Sequence, residues 1–268
     1  MSDMVVKETV SVNGIEMYFE ARGDGEPLLL LHGFTGSGAD WKLIYPKPPK
    51  GYRCIIPDLR GHGNSTNPSG QFTHRQVAYD MFALLDYLSV GPFTAIGISA
   101  GGQVLLHMAT QQPDRANSIV LVSAAHYFPS QARKVMAQFS LDRLTEQEWK
   151  GMRQRHKHGD EQIRDLYRLG RAFAESYDDM NLTSADLNVI SAQTLIVHGD
   201  RDSFYPIDIA VELYRSIPRA ALWIIPESGH VPIFGTQAEH FAKTATAFLR
   251  HGKRRERSHQ FRSQESII

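Results

Sequence analysis

Six short, almost continuously apolar runs recur along this sequence and constrain its fold more than any other feature. They cover Pro27–His32, Tyr52–Pro57, Phe93–Ile98, Ser118–Ser123, Thr194–His198 and Ala221–Pro226. Such runs are typical of parallel strands buried on both faces. Segments with helical spacing lie between them, for example the one that contains Val77, Met81 and Leu84. Because strands and helices alternate, the sequence predicts an α/β fold.

A β-hairpin is predicted ahead of these runs. The alternating stretches Val5–Val12 and Ile15–Arg22 flank Asn13 and Gly14, a dipeptide that accepts positive φ at both turn positions. With the hairpin, we expect a mostly parallel sheet of eight strands, flanked by helices.

The strand rhythm breaks between about His126 and Asn188, where charged helical patterns replace the strands. We therefore predict a helical cap, or lid, over residues 126–189, inserted into a core domain formed by residues 1–125 and 190–250. Thr145 and Glu148 predict a capping box that begins one of its helices. Residues 251–268 form a basic tail that we expect to be disordered, a solvated terminus rather than an arm that grips a polyanion.

Composition narrows the function classes. The chain has 268 residues with 29 basic and 29 acidic side chains, so no net field attracts nucleic acid or a membrane. Cys54 is the single cysteine, lies in an apolar run and is expected in the core. The sequence begins without the apolar segment of a signal peptide and has no transmembrane run, which makes a cytoplasmic location the expectation.

The segment Gly97-Ile98-Ser99-Ala100-Gly101-Gly102 carries the strongest chemical signal. It follows a predicted strand and begins a predicted helix, which is the context of a nucleophile elbow. A strained turn exposes the hydroxyl of Ser99, and small neighbours are needed because side chains there would collide with the strand and the helix. A serine hydroxyl is a poor nucleophile until a base takes its proton, so a histidine and an acid must lie elsewhere.

Several motifs together resemble the α/β-hydrolase superfamily, particularly its small esterase, lactonase, haloperoxidase-like and carbon–carbon hydrolase branches. Besides the elbow, they are His32-Gly33-Phe34, the segment from Pro57 to Ser65, His198-Gly199-Asp200-Arg201-Asp202, and Gly229-His230. The resemblance covers nearly the whole chain before the tail.

The resemblance implies a catalytic triad in the chain order nucleophile, acid, base. Its positions are Ser99, Asp202 and His230. Asp200 is the alternative acid, but Asp202 lies four residues before Pro206, as the family acid lies before a helix-starting proline. Asp200 is then expected to hydrogen-bond within the turn.

The backbone N–H groups of Phe34 and Ala100 are implied as the oxyanion hole, since acyl transfer builds negative charge on a carbonyl oxygen. His62 is a candidate for a second catalytic histidine, but in the family its loop has a structural role. His156 and His158, two positions apart, point to different faces of a helix, so no metal site is predicted. No cofactor is expected either.

The leading function is therefore a serine hydrolase, a carboxylesterase or lactonase that acts on a small-molecule ester or lactone through an acyl-enzyme. A meta-cleavage carbon–carbon hydrolase, a perhydrolase or haloperoxidase-like enzyme and a non-catalytic ligand receptor stay open. A cap arginine in the pocket would favour carbon–carbon cleavage; the candidates are Arg133, Arg143, Arg164, Arg168 and Arg171. The expected substrate pocket consists of Phe34, Trp41, His126, Tyr127, Phe128, Phe204 and Val231.

Overall fold

Eight strands form one sheet in the computed structural model, which describes residues 5–250. They are β1 (Val5–Val12), β2 (Ile15–Gly23), β3 (Glu26–Leu31), β4 (Tyr52–Pro57), β5 (Phe93–Ile98), β6 (Ala116–Val122), β7 (Gln193–Gly199) and β8 (Ala220–Ile225). The predicted α/β class with its eight strands is confirmed, and the bounds of β4 and β5 agree with the sequence prediction to the residue. The prediction for the tail, residues 251–268, lies outside the described residues.

The strand order places β5 near the centre of the sheet. The order is β1-β2-β4-β3-β5-β6-β7-β8. Strands β1 and β2 pair antiparallel, as do β2 and β4. All the other neighbouring pairs, which are β3–β4, β3–β5, β5–β6, β6–β7 and β7–β8, are parallel. Since parallel strands end at the same edge, residues that follow β3, β5, β6 and β7 converge there.

Helices separate the strands as the periodicity indicates. They are α1 (His74–Tyr87), α2 (Ala100–Gln111), α3 (Ser130–Met136), α4 (Glu146–Arg155), α5 (Asp160–Ala172), α6 (Ser184–Leu187), α7 (Ile207–Ser216) and α8, over residues 238–250. None of the helices within residues 5–250 combines the length and hydropathy needed to cross a bilayer.

Two apolar clusters cover the two faces of the sheet, because successive residues of a strand point to opposite faces. In β5, Ala95 belongs to one cluster, and Ile96 and Ile98 belong to the other. Cys54 is buried in the second cluster, so the prediction of a core cysteine is confirmed.

Helices α3 to α6 lie between β6 and β7, in the segment for which a cap is predicted. The predicted capping box is present at α4: the hydroxyl of Thr145 accepts from the N–H of Glu148 at 3.2 Å, and the N–H of Thr145 donates to the Glu148 carboxylate at 2.8 Å. Helix α5 buries Ile163, Leu166 and Leu169 on one face. The insertion therefore has an amphipathic helix that packs inward.

Candidate active site

Ser99 occupies a sharp turn between β5 and α2. Its φ is 49° and its ψ is −113°, a conformation that non-glycine residues rarely adopt. Its N–H donates to the carbonyl of Val122 at 2.8 Å, and its own carbonyl accepts from the N–H of Gln103 at 2.9 Å. Hydrogen bonds on both sides therefore hold the strained serine in place.

Glycines around Ser99 make this turn sterically feasible. A Cβ on Gly97 would lie 2.5 Å from the carbonyl carbon of Gly101, and a Cβ on Gly101 would lie 2.5 Å from the carbonyl oxygen of Leu31. Both distances are far below van der Waals contact. The strand, the helix and the neighbouring strand can approach this closely only without side chains at these two positions.

Ser99, His230 and Asp202 form a continuous hydrogen-bonded row. The Nε2 atom of His230 lies 2.9 Å from the Oγ atom of Ser99. Its Nδ1 atom lies 2.9 Å and 2.8 Å from the two carboxylate oxygens of Asp202. Because a carboxylate can only accept here, Nδ1 carries the proton and Nε2 accepts from the serine hydroxyl.

Asp202 is fixed from several directions. Its Oδ1 atom accepts from the N–H groups of Phe204 at 2.7 Å and Tyr205 at 3.0 Å, and its side chain is fully buried. His198 lies 3.8 Å from Oδ2, and burial lowers the pKa of this histidine, which favours its neutral form. In α3, the amide of Gln131 donates to the carbonyl of Asp202 at 3.1 Å.

Asp200 has a different surrounding. It is exposed, and its Oδ1 atom accepts from the N–H of Ser228 at 3.1 Å, across the turn after β8. Of the two candidate acids, the structure brings Asp202 to His230, whereas Asp200 bonds within the loop.

The N–H groups of Phe34 and Ala100 stand on the two loops that meet at Ser99. A Cβ built on Gly33 would lie 3.6 Å from the Cβ of Ser99, which shows how closely the loop after β3 approaches. Across the described chain, residues 5–250, neither N–H donates a hydrogen bond to another protein group. Ala100 is the first residue of α2, whose N-terminal N–H groups have no partner within the helix. Both donors are therefore free for a ligand oxygen.

Three buried histidines shape the loop that carries Phe34. The Nδ1 atom of His32 donates to the carbonyl of Gly33 at 2.8 Å, while its Nε2 atom accepts from the N–H of Leu59 at 3.0 Å. The N–H of Thr35 donates to Nε2 of His62 at 3.2 Å. Burial lowers the pKa of both His32 and His62. They are neutral structural groups, which agrees with the interpretation of His62 as part of a structural loop.

His156, at the end of α4, completes this arrangement. Its Nδ1 atom accepts from the N–H of Gly63 at 3.0 Å, and its Nε2 atom donates to the carbonyl of Thr35 at 3.1 Å. Thr35 has a φ of 61°, so histidines hold both polar atoms of a residue in the left-handed region. Burial lowers the pKa of His156 to about 4.

The loop from Pro57 to Ser65 is built around Asp58. Its carboxylate accepts from the N–H of Gly38 and from the N–H of Asn64, each at 2.8 Å. The φ of Gly63 is 53°, and a Cβ there would lie 2.1 Å from the Asp58 carboxylate. This motif therefore packs loops together rather than presenting a reactive group to the cavity.

A cavity of about 220 Å³ opens beside Ser99 and His230. Its wall is mostly aromatic and aliphatic. It includes Phe34, Phe128, Phe204 and Val231 from the predicted pocket, together with Gly33, Thr35, His74, Ile98, Ala100, Gln103, Met136, Phe139, Gly170, Phe173 and Tyr205. Helices α3 and α5 both contribute, so the helical insertion forms part of this wall.

Three residues of the predicted pocket do not line this cavity, and the pocket prediction is corrected for them. Trp41 is fully buried and stacks on Tyr45 in the apolar cluster that contains Cys54. His126 is buried with its Nε2 atom 3.3 Å from the carboxylate of Glu212. Tyr127 is 36% exposed and pairs with Asn181 at the base of the insertion.

Several lining residues were not found by the sequence analysis, among them His74, Gln103, Met136 and Gly170. Gln103 lies one turn beyond Ser99 on α2, a spacing that could have indicated it, and it donates to the hydroxyl of Tyr205 at 2.9 Å. Gly170 leaves room for the aromatic wall, since a Cβ there would lie 2.7 Å from the ring of Phe139. No local signal marks His74.

Two of the five candidate cap arginines, Arg133 and Arg168, bind other groups of the protein. Arg133 donates to the carbonyls of Phe128, Ala174 and Ser176, and its guanidinium lies 3.7 Å from the centre of the Tyr177 ring. Arg168 bonds Asp165 and the carbonyl of Gly70. Within residues 5–250, no arginine lines the cavity beside Ser99. In the same part of the chain, no group of three or more His, Cys, Asp or Glu side chains could hold a metal ion.

A second, larger cavity of about 380 Å³ lies between the loop of Gly61 to Pro68 and helix α5. Neither Ser99 nor His230 lines it. The smaller cavity is therefore the candidate active site.

Comparisons with known proteins by sequence and by structure agree on one family. A family model described as "alpha/beta hydrolase fold" matches residues 26–152. A 2-hydroxymuconate semialdehyde hydrolase of Pseudomonas sp. (strain CF600) is 29% identical over 263 residues, which cover 87% of this chain and 89% of the relative.

Solved structures share the architecture along nearly the whole chain. A thermophilic esterase from Thermogutta terrifontis is 26% identical, with a TM-score of 0.70 over 93% of this chain and 99% of the esterase. A meta-cleavage product hydrolase from Pseudomonas fluorescens IP01 has a TM-score of 0.74 at 20% identity, over 91% of this chain and 97% of that protein. The latter likeness concerns the fold.

Proposed function

Because this chain belongs to the α/β-hydrolase superfamily, we propose that it is a serine hydrolase that cleaves a carboxylic ester or lactone through an acyl-enzyme on Ser99. The observation that carries the proposal is the row Ser99–His230–Asp202 at the wall of a cavity that also holds two free N–H donors. Ester and lactone cleavage need no further machinery.

In the first half-reaction, His230 Nε2 takes the proton of the Ser99 hydroxyl while Oγ forms a bond to the substrate carbonyl carbon. The carbonyl oxygen becomes an oxyanion, and the N–H groups of Phe34 and Ala100 stabilise it. His230 then donates its proton to the leaving alkoxide as the ester bond breaks.

In the second half-reaction, His230 takes a proton from water, and the resulting hydroxide adds to the acyl carbon. The bond to Ser99 breaks, its oxygen regains the proton from His230, and the acid leaves. Asp202 stabilises the imidazolium that forms twice in the cycle, and the N–H groups of Phe204 and Tyr205 keep the carboxylate oriented.

Carbon–carbon hydrolysis of a meta-cleavage product is the second candidate, because the 2-hydroxymuconate semialdehyde hydrolase matches almost the full length of the chain. The cavity wall favours the ester over this candidate. It has no arginine within the described chain, and Arg133 and Arg168 bind backbone carbonyls and a carboxylate instead.

A substrate panel separates the two. Purified protein is assayed on alkyl esters, on lactones and on a vinylogous dienoate that has the meta-cleavage skeleton, with Ser99→Ala as the background control. The proposal expects ester or lactone turnover that Ser99→Ala lacks. Dienoate cleavage with a kcat/KM at least about tenfold above that of the best ester, a difference of about 1.4 kcal/mol, would favour carbon–carbon hydrolysis.

The helical insertion is expected to govern which ester or lactone binds, since Met136 and Gly170 of α3 and α5 line the wall, as do Phe139 and Phe173, which follow these helices. Exchange of residues 126–189 for the cap of a related esterase tests this. Substrate preference should change while the sheet remains folded, and an unchanged preference across the panel would contradict it.

A further inference from the structure

His74 brings a polar ring into the aromatic wall of the active-site cavity. It is the first residue of α1, and its side chain is 1% exposed. The centres of the Phe72, Phe128 and Phe173 rings lie 5.4, 5.8 and 5.3 Å from the centre of its own ring. A polar group in such surroundings needs a partner for each of its hydrogen-bonding atoms.

Asp179 satisfies one side of this ring. The Nδ1 atom of His74 lies 2.6 Å from the Oδ2 atom of Asp179, which also accepts from the N–H of His74 at 2.7 Å, while Oδ1 accepts from the N–H of Arg75 at 3.1 Å. Burial acts to raise the pKa of Asp179, but the hydrogen bonds from the side chain and N–H of His74 and from the N–H of Arg75 outweigh it and hold the pKa at about 2. The carboxylate is therefore an acceptor, and Nδ1 carries the proton.

The other nitrogen of His74 is unused. Throughout the described part of the chain, Nε2 has no hydrogen-bond partner, although the ring lines the cavity. With the proton on Nδ1, the neutral ring presents a lone pair at Nε2. This repeats the arrangement of His230 and Asp202, where Nε2 accepts from the hydroxyl of Ser99.

We propose that His74 binds a hydroxyl group of the substrate, so that the esters or lactones cleaved at Ser99 carry a second, alcohol function; this inference rests on the proposed function. A buried acceptor that stays unpaired in the complex costs binding energy, so an analogue without the hydroxyl is rejected. A carboxylate would suit the site poorly, because the anionic Asp179 lies beside it and no arginine within residues 5–250 lines the wall.

The test uses ester pairs that differ in a hydroxyl against a methyl group of similar size. Suitable pairs are ethyl lactate with ethyl isobutyrate and ethyl β-hydroxybutyrate with ethyl isovalerate, to which longer ω-hydroxy esters are added. At least one pair should show a kcat/KM about tenfold or more in favour of the hydroxy ester, the size of one hydrogen bond to a buried acceptor. Equal rates in every pair would overturn the inference.

Two variants locate the preference at His74. His74→Asn keeps an amide that can donate to Asp179 but removes the atom at Nε2, so the preference for a hydroxy ester over its methyl-bearing partner should fall by about tenfold. The matched control is His107→Asn. His107 is the other histidine near Asp179, with Nε2 3.6 Å from its carboxylate, and it does not line the cavity. A similar loss of preference in both variants would assign the effect to packing and overturn the role of His74.

Binding separates this inference from the proposed function. Calorimetric titration of the Ser99→Ala protein with the same ester pairs needs no turnover, and tighter binding of the hydroxy ester is expected. If the wild-type protein cleaves no ester, the proposed function fails, while the binding difference still decides the role of His74. Stronger binding of a keto ester, such as ethyl acetoacetate, than of its hydroxy partner would show that Nε2 donates and would overturn the assignment of a hydroxyl group.

Discussion

His156 donates a hydrogen bond from Nε2 to the carbonyl oxygen of Thr35, at 3.1 Å, and so joins the helical insertion to the loop that carries the N–H of Phe34. Its other nitrogen accepts from the N–H of Gly63. A protonated ring could not accept that second bond, because both nitrogens would be donors. The bond from Gly63, which ties the loop after β4 to His156, therefore depends on a neutral histidine, whereas the bond to Thr35 does not.

This dependence predicts a loss of stability in mild acid. The pKa of His156 is about 4 in the folded protein, against about 6.5 in an unfolded chain. The unfolded state thus binds more protons between these values, so the free energy of unfolding falls as the pH drops from about 6.5 to about 4. His156 should contribute on the order of 1–3 kcal/mol to this fall.

Urea denaturation across this pH range checks the prediction with two variants. His107 and His126 also have pKa values lowered to about 4 by burial, so they contribute to the total fall and only differences between proteins isolate one histidine. His156→Gln should show a shallower dependence on pH than the wild type. His158→Gln, an exposed neighbour two positions away, should match the wild type. Parallel curves for all three proteins would contradict the account.

Loss of the His156 contact should also affect catalysis, through the position of the Phe34 N–H. We expect His156→Ala to lower kcat by about tenfold and to change KM little, because the oxyanion forms only after the substrate has bound. Esterase kinetics at neutral pH measure this. An increase in KM with unchanged kcat would show that His156 acts on substrate binding instead.

The two candidate acids should differ sharply in their effect on turnover. Asp202→Asn removes the carboxylate that fixes the His230 tautomer, so acylation should slow by about 10⁴-fold, as in the serine-protease template. Asp200→Asn loses at most the bond to Ser228, at a stability cost of about 1 kcal/mol, and should retain the rate within about tenfold. Pre-steady-state acylation and thermal melts of both variants provide the comparison. A slower reaction in folded Asp200→Asn than in Asp202→Asn would move the acid to Asp200.

Glycine at position 97 should be indispensable for folding. A Cβ there would meet the backbone of Gly101 at 2.5 Å, and the backbone cannot yield as a flexible side chain does. Gly97→Ala should cost at least about 3 kcal/mol or prevent folding. Gly151→Ala is the control, since α4 is open at that position and alanine should stabilise the helix by about 0.5–1 kcal/mol. Chemical denaturation that gave Gly97→Ala the stability of the wild type would contradict the steric argument.

The sheet could be predicted from the sequence because its strands are buried on both faces and read as unbroken apolar runs, as β5 does. The elbow could be located because its glycines satisfy a local steric need around Ser99. The position of the acid was also accessible, since Asp202 and the helix after Pro206 belong to one short segment.

The wall of the cavity could not be predicted in the same way, because it depends on contacts between distant parts of the chain. His74 and Asp179 are 105 positions apart, and neither lies in a motif. Trp41 is an aromatic residue close to a motif, as expected of a pocket residue. Its side chain nevertheless belongs to the apolar cluster on the other face of the sheet, where it packs on Tyr45. From the sequence alone, an aromatic residue near a motif is equally compatible with a position in the core and a position in the pocket wall.

The most direct test of the central claim is labelling of the intact protein with a fluorophosphonate, followed by peptide mass spectrometry. The proposal predicts one covalent adduct on the Oγ atom of Ser99, with no labelling in Ser99→Ala and strongly slowed labelling in a folded Asp202→Asn protein. An unlabelled wild-type protein, or an adduct on a residue other than Ser99, would contradict the claim that this chain is a serine hydrolase with Ser99 as its nucleophile.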